Sequence, residues 1–237
     1  MQTKATPDWY HQYIIINTEN IMRYDAIIFD MDGTILDTLK DLHSALNVIL
    51  TRHALPARTL EEVRHFVGNG AAKLVERALP SDASEEFRAD FLREFQAYYS
   101  AHSNEQTAPY DGILPLLHRI KSAGIPMACN SNKFENAVHD LCELHFPNCF
   151  CAFAGDRVGV PKKPAPDGAL RVMREMNAVP DRTLFVGDSD VDLATAKNAR
   201  MNAAWVTWGF RRRGEITVDP SIPPFDTPEA LGDYILQ

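Results

Sequence analysis

The chain has 237 residues, of which 45% are hydrophobic and 24% are charged, as in a globular protein that can bury a full core. Its net charge of −8 argues against a nucleic-acid partner, and no stretch is long and apolar enough to span a membrane. An anionic substrate would therefore have to be attracted locally, by a metal ion or by well-placed lysines.

The N-terminal segment and the cysteines both favour a cytoplasmic protein. Residues 1–22 lack the features of a signal peptide and are predicted to be an extension, because Met22 stands directly before the first predicted strand. The cysteines form no Cys-x-x-Cys pair and no zinc-type spacing with histidine, which favours reduced thiols. They are Cys129, Cys142, Cys149 and Cys151.

In chain order, the first predicted strand (25–30) is followed by a region, 36–107, with apolar residues at helical spacing and no clear strand. We expect a helical insert there, with Phe87, Phe91, Phe95 and Tyr98 in its core. Beyond residue 110, strands and amphipathic helices alternate. The predicted strands are 125–130, 150–154, 183–187 and 203–207, and the predicted helices are 112–123, 134–144, 166–177 and 191–199. This order predicts an α/β fold with a doubly wound parallel sheet and an inserted helical domain.

The motif Asp30-Met31-Asp32-Gly33-Thr34 directly follows the first predicted strand. Ligands of open α/β sheets bind beyond the carboxyl ends of the strands, so both acids stand where chemistry is expected. Two carboxylates this close repel each other, and the pair persists most easily when the acids share a cation or one of them holds a proton. Both conditions suit phosphoryl transfer, whereas the simpler interpretation is a turn built from Asp and Gly.

Two further polar clusters stand next to predicted helices. Ser131 and Asn132 follow the second core strand, where a hydroxyl and backbone N–H groups can bind phosphate oxygens, although both residue types also cap helices. Lys163, directly before Pro164, offers a fixed positive charge for a phosphoryl group. The simpler interpretation of Lys163 is a surface lysine ahead of a helix that begins with proline.

A third cluster, Asp188, Asp190 and Asp192, follows the predicted strand at 183–187. Closely spaced acids at the end of a strand suit a hard cation such as Mg²⁺, which takes oxygen ligands. An acidic helix N-terminus, favoured by the helix dipole, is the alternative interpretation.

Taken in order, these four motifs resemble those of the haloacid dehalogenase superfamily of phosphohydrolases, and the resemblance covers residues 24–211. Finer features, at 66–70, 110–112, 131–133 and 207–210, resemble its phosphoglycolate phosphatase-like branch. The resemblance implies a Rossmann-like catalytic core, formed by 23–36 and 108–237, with an inserted helical cap at 37–107. Asn130 departs from the pattern, since an apolar residue is usual there.

The resemblance implies a role for each catalytic residue. Asp30 would be the nucleophile that forms an aspartyl-phosphate, and Asp32 the general acid and base. Ser131 and Lys163 would hold the phosphoryl oxygens.

It also implies a Mg²⁺ site and a substrate-binding loop. Asp30 and Asp188 would bind the metal together with the backbone carbonyl of Asp32, with Asp192 nearby and Asp190 facing solvent. The substrate-binding residues would be Thr34, Asn132, Gly68, Asn69 and Gly70, although the glycines are equally consistent with a tight turn between helices.

The substrate implied is a small phosphomonoester such as 2-phosphoglycolate, bound by a monomer or a homodimer. A phosphosugar mutase, a pyrophosphatase and a nucleotidase of the same superfamily are alternatives, because they use the same acids. A phosphoacceptor or partner-binding module is the non-enzymatic alternative, although the large insert and the complete motif set argue against it.

Overall fold

The computed structural model describes residues 22–237, so the predicted extension lies outside the described residues except for Met22. The strands in this range are β1 (Ala26–Phe29), β2 (Leu36–Asp37), β3 (Ala108–Pro109), β4 (Met127–Phe134), β5 (Ala152–Asp156), β6 (Thr183–Gly187), β7 (Asn202–Val206) and β8 (Pro224–Phe225). The α-helices in the same range are α1 (Leu39–Arg52), α2 (Leu60–Phe66), α3 (Ala71–Ala78), α4 (Glu85–His102), α5 (Ile113–Ser122), α6 (Glu135–His145), α7 (Asp167–Glu175), α8 (Asp190–Asn198) and α9 (Pro228–Ile235).

Six strands form one parallel sheet in the order β5-β4-β1-β6-β7-β8. The central strand β1 is buried along its whole length, with Ile27 and Phe29 in the core that contains α5, α6 and α9. Ala26 and Ile28 belong to the core on the other face, with α7 and α8. A strand covered on both faces must be apolar throughout, which explains the uninterrupted run in the sequence. The predicted doubly wound α/β fold is confirmed.

Helices α1–α4, residues 39–102, are called the cap below. They enclose their own hydrophobic cluster, in which Phe91 and Phe95 are fully buried and Phe87 and Tyr98 pack at its edge. The Thr59 side chain accepts from the Glu62 N–H and thereby caps α2. The expected aromatic core of the insert is therefore confirmed.

The structure differs from the sequence prediction in the shortest elements. β2 and β3 pair antiparallel where the chain enters and leaves the cap, although we expected no strand at residue 36, and β8 and α9 were not expected either. A two-residue strand shows no periodicity in sequence, so only the meeting of distant segments reveals it. β4 continues to Phe134 through a register shift, held by pairing with β5.

Within residues 22–237, no helix has both the length and the hydropathy for a membrane span.

Candidate active site

The carboxyl ends of β1, β4 and β6 lie side by side and bring the motifs together. Phe29 pairs with Cys129 on one side and with Val186 on the other. The polar residues that follow these positions therefore emerge at the same edge of the sheet, as expected for neighbouring parallel strands. They are Asp30, Ser131 and Asp188.

Three buried carboxylates cluster at this edge, and one ammonium group pairs with two of them. Asp30, Asp188 and Asp192 each offer an oxygen, and these oxygens all lie within 4.8 Å of one another. The Nζ of Lys163 lies 2.7 Å from the Oδ1 of Asp30 and 2.6 Å from the Oδ1 of Asp192. Among residues 22–237 no other cation forms an ion pair with these acids, so two negative charges remain uncompensated when all three are ionised.

This crowding shifts the pKa values of the groups. Burial raises the pKa of Asp30 well above its ordinary value, and the neighbouring Asp192 adds to the shift, while Lys163 opposes it. Burial and Asp192 raise the pKa of Asp188 from 3.8 to about 7. Burial works against the charged form of Lys163, but the two carboxylates beside it raise its pKa above the ordinary value, so the ammonium stays charged.

These residues fit a divalent cation. The donors are carboxylate oxygens, which Mg²⁺ prefers, and a double positive charge would balance the two uncompensated negative charges. Such a cation would also favour the ionised forms of Asp30 and Asp188.

Backbone contacts fix the acids that follow β6. The Oδ2 of Asp192 accepts from the N–H of Ser189 at 3.0 Å and from its hydroxyl at 2.6 Å. The Oδ2 of Asp188 accepts from the N–H of Phe210 at 2.6 Å. Gly33 has a φ of +88°, and a Cβ there would lie 2.6 Å from that same Asp188 oxygen, so both its conformation and its surroundings require glycine.

Asp32 occupies a different environment from Asp30. Its Oδ1 accepts from the Thr38 hydroxyl at 2.7 Å and lies 3.2 Å from the Nζ of Lys133. The same Nζ donates to the Tyr99 hydroxyl on α4 at 2.7 Å, so Lys133 connects Asp32 to the cap. Burial raises the pKa of Tyr99 to about 12, so its hydroxyl remains protonated at neutral pH. The carboxylate of Asp32 is not one of the three clustered carboxylates.

Sequence reasoning did not single out Lys133, Thr38 or Tyr99 as individual site residues. Lys133 stands in the Ser-Asn-Lys motif, which was a usable signal. Tyr99 lies on a helix whose aromatic pattern indicates only a packed core, and its link to Lys133 depends on where the cap docks.

Asn132 joins three segments at the edge of the sheet. Its Nδ2 donates to the carbonyl of Lys163 at 3.1 Å and to the carbonyl of Gly68 in the cap at 3.2 Å. Ser131 is buried beside it, and the Ser131 hydroxyl oxygen accepts from the N–H of Lys133 at 3.3 Å. The hydroxyl, the lysine loop and the glycine loop of the cap therefore meet at one place.

A cavity of about 80 Å³ lies between this edge and the cap. Its polar lining comes mostly from the core. The core residues predicted as site residues that line it are Asp30, Asp32, Ser131, Asn132, Lys163 and Asp188. Gly68 and Gly70 of the predicted loop also line it, together with apolar side chains such as Leu42, Phe95 and Phe210.

The structure does not bring two of the predicted substrate-binding residues to this cavity. Asn69 is half-buried outside the cavity lining, and its Oδ1 accepts from Arg77 at 2.8 Å. Thr34 is fully buried in the tight turn after Asp32, outside the cavity lining. Asn130, which departs from the family pattern, packs against Gly168 on α7, and the Asp190 side chain is 63% exposed, as expected.

Comparisons with known proteins agree with this geometry. The model of the family described as haloacid dehalogenase-like hydrolase matches residues 27–206. A phosphoglycolate phosphatase of Pseudomonas putida is 35% identical over 86% of this chain and 77% of its own length. One of Aquifex aeolicus is 30% identical over 90% of this chain and 99% of its own length.

A solved structure from Lactobacillus delbrueckii, itself a predicted phosphoglycolate phosphatase, superposes with a TM-score of 0.86 at 33% identity and covers 91% of this chain and 99% of that one. Together with the family match, these relatives confirm the predicted phosphatase and its resemblance to the phosphoglycolate phosphatase-like branch. The chain therefore belongs to the haloacid dehalogenase-like hydrolase family.

Proposed function

We propose that the chain hydrolyses small phosphomonoesters through an aspartyl-phosphate on Asp30, with Mg²⁺ as cofactor and 2-phosphoglycolate as the preferred substrate. The observation that carries this proposal is the separation of two neighbouring carboxylates. Asp30 contacts Lys163 among buried acids, whereas Asp32 contacts Lys133 and Thr38. Two acids in unlike surroundings can take the unlike roles of nucleophile and proton donor.

In the first step an oxygen of Asp30 attacks phosphorus and the bond to the leaving oxygen breaks. Asp32 gives its proton to that oxygen; among residues 22–237 only its Oδ1 has hydrogen-bond or ion-pair partners, so Oδ2 is free to carry the proton. Ser131 and Lys163 hold the phosphoryl oxygens as negative charge spreads over them. Mg²⁺ bound by Asp30 and Asp188, beside Asp192 and with the carbonyl of Asp32, would neutralise charge on the carboxylates and the phosphoryl group.

In the second step Asp32, now a carboxylate, removes a proton from a water molecule that attacks the phosphorus of the aspartyl-phosphate. The bond between phosphorus and Asp30 breaks, which releases inorganic phosphate and restores both acids to their starting forms. Residues of the cap line this cavity together with those of the core, which limits the access of bulk water to the aspartyl-phosphate.

The choice of 2-phosphoglycolate rests on the relatives and on the cavity. The relatives from Pseudomonas putida and Aquifex aeolicus carry that activity in their names and match most of this chain. The small cavity favours a leaving group of few atoms, and Lys133 and Arg211 in its lining suit a carboxylate. A cytoplasmic location, and a monomer or homodimer that binds no nucleic acid, stay predictions.

The test is a comparison of kcat/KM for 2-phosphoglycolate and a panel of small phosphomonoesters, with and without Mg²⁺. We expect the highest value for 2-phosphoglycolate and no turnover after removal of the metal. Conversion of a hexose 1-phosphate to its 6-phosphate, faster than release of inorganic phosphate, would instead establish the mutase. Absence of phosphate release from every ester would refute a hydrolase.

The glycine loop of the cap is expected to determine substrate choice. Gly70 lines the cavity, and a Cβ there would lie 3.5 Å from the carbonyl oxygen of Asn132, which is ordinary contact, although its φ of +83° disfavours a side chain. The substitution Gly70→Val should lower kcat/KM for 2-phosphoglycolate about tenfold more than for p-nitrophenyl phosphate, because the added methyl groups crowd the leaving group.

The matched control is Gly124→Val. Gly124 also has a positive φ, of +76°, and nothing lies within 4 Å of its Cβ position at the end of α5. Both variants place a side chain at a positive φ, and of the two positions only Gly70 lines the cavity. Equal losses on the two esters in Gly70→Val would show that the loop has a structural role only.

Metal affinity should depend on pH. Because Asp188 has a pKa of about 7 in the metal-free protein, against 3.8 ordinarily, protons compete with the cation below that pH. Asp30, whose pKa is also raised, adds to this competition, so the dissociation constant for Mg²⁺ should rise as the pH falls from 8 to 6. Calorimetric titrations at pH 6, 7 and 8 measure this, and one constant value across the series would contradict it.

The raised pKa of Asp188 also makes the stability of the metal-free fold depend on pH. The folded pKa of Asp188 is raised, so this group contributes stability that is present below pH 3.8 and is lost as pH rises through about 7. Mg²⁺ should consequently raise the melting temperature more at pH 8 than at pH 6, because it binds the ionised form.

A further inference from the structure

Phe210, in the loop after β7, contacts both the carboxylate cluster and the cap. Its N–H donates to the Oδ2 of Asp188 at 2.6 Å. Its ring is buried in the hydrophobic cluster of the cap, beside residues of α1–α4, although Phe210 itself belongs to the core. Its carbonyl accepts from the guanidinium of Arg64, at the end of α2 in the cap. One residue therefore joins a predicted metal ligand to the cap by its backbone and its side chain.

Arg64 is well placed to hold this loop. It is only 5% exposed, and it donates to both carboxylate oxygens of Glu215, farther along the same loop, at 2.6 and 2.8 Å. In the opposite direction, Arg211 donates to the carbonyls of Arg64 at 2.9 Å and of Val67 at 2.5 Å. The end of α2 and the loop after β7 are thus bonded in both directions.

We propose that Phe210 is a positioning residue through which docking of the cap orients Asp188 for metal binding. The inference rests on the Mg²⁺ site proposed above. When the cap is docked, Arg64 and the apolar cluster fix Phe210, and its N–H holds one oxygen of Asp188 while the other is left for the cation. When the cap separates, the bond to Arg64 and the ring contacts are lost together, and the N–H is no longer held at that position.

The loop after β7 packs tightly against Asp188. A Cβ on Gly209 would lie 2.4 Å from the Cβ of Asp188 and 2.1 Å from the carbonyl oxygen of Gly33, so the loop passes in direct contact with the acid. A bond of 2.6 Å from an N–H to a carboxylate is short and charge-assisted, and its geometry constrains the carboxylate. A shift of the loop must therefore move Asp188 or break this bond.

Thermodynamic linkage requires that docking of the cap and binding of Mg²⁺ favour each other. If a docked cap strengthens Mg²⁺ binding by some factor, bound Mg²⁺ must favour the docked cap by the same factor. A purely structural role for Phe210 would change the melting temperature but would produce no such relation between the metal and the cap.

The first experiment compares Arg64→Ala with Arg212→Ala by calorimetric titration with Mg²⁺ alone. Both residues lie between cap and core and carry the same charge, but Arg212 pairs with Glu61 at the surface, at 3.2 Å, and does not contact Phe210. We expect the Mg²⁺ dissociation constant of Arg64→Ala to rise about 5- to 20-fold, a usual range for coupled sites, and that of Arg212→Ala to stay within about twofold.

The second experiment measures hydrogen exchange in peptides covering residues 60–70. Mg²⁺ should slow exchange there in the wild type and in Arg212→Ala but not in Arg64→Ala. If Arg64→Ala does not fold, Phe210→Ala replaces it, because that variant keeps the N–H while it removes the ring from the cap.

The outcomes separate this proposal from the metal site itself. Wild type that binds no Mg²⁺ would overturn both. Wild type that binds Mg²⁺, together with an Arg64→Ala variant of equal affinity or equal metal-dependent protection, would overturn only the link through Phe210.

Discussion

Replacing Asp30 with asparagine is expected to lower kcat by at least about three orders of magnitude, as loss of a catalytic nucleophile does in other enzymes. Asparagine has nearly the same shape, but its amide is a poor nucleophile toward phosphorus. The fold should survive, because the substitution removes one of three crowded carboxylates and leaves Lys163 paired with Asp192 at 2.6 Å. Steady-state hydrolysis of p-nitrophenyl phosphate and of 2-phosphoglycolate in saturating Mg²⁺ measures the loss.

Two further measurements distinguish the loss of a nucleophile from the loss of the fold. Rapid quenching with labelled substrate should trap a phosphorylated protein in the wild type and none in Asp30→Asn. Thermal unfolding without metal at pH 8 should give a melting temperature no lower than that of the wild type, since burial already disfavours the charged form of Asp30. Turnover close to the wild-type value in pure Asp30→Asn protein would refute the proposed mechanism.

The sequence predicts well where the polar residues at the strand ends lie, because their positions follow from local rules. Apolar runs mark the buried strands, and a polar residue directly after such a run must emerge at the carboxyl edge of a parallel sheet. Asp30, Ser131 and Asp188 are placed in this way, and pairing of Phe29 with both Cys129 and Val186 puts the strand ends in line.

Contacts that depend on docking of the cap could not be predicted in the same way. The bond between Lys133 and Tyr99 joins residues 34 positions apart, and that between Arg64 and the carbonyl of Phe210 spans 146 positions. No periodicity within either segment specifies them. The place of Asn69 outside the cavity lining has a more local origin, because Arg77 on the next helix of the cap binds its side chain.

Different lysines give the two acids of the Asp30-Met31-Asp32 motif different surroundings. Lys163 pairs with Asp30 at the carboxylate cluster, and Lys133 pairs with Asp32 on the side facing the cap. Lys163 belongs to the core and pairs with acids of the core. The Nζ of Lys133, in contrast, also donates to the Tyr99 hydroxyl of the cap. Docking of the cap therefore affects the surroundings of Asp32, the proposed acid–base residue, as well as the shape of the cavity.

Replacing Asp188 with asparagine is expected to raise the Mg²⁺ concentration for half-maximal activity by at least about 100-fold, beyond the usual effect of altering a residue that only supports a metal ligand. Asp188 is 1% exposed and belongs to the three-carboxylate cluster, so its charge acts directly on a bound cation. Asparagine keeps an oxygen that can accept from the N–H of Phe210, so the loop after β7 should stay in place while the charge is lost.

Asp190→Asn is the matched control for this prediction, because it removes the same charge two residues away. Asp190 begins α8, but its side chain is 63% exposed and lies outside the carboxylate cluster, so its metal requirement should stay within about twofold of the wild type. Activity as a function of Mg²⁺ concentration, measured for the three proteins at pH 8, gives the comparison. Superimposable curves for Asp188→Asn and Asp190→Asn would remove Asp188 from the metal site and would show that the negative charge of this loop acts only at long range.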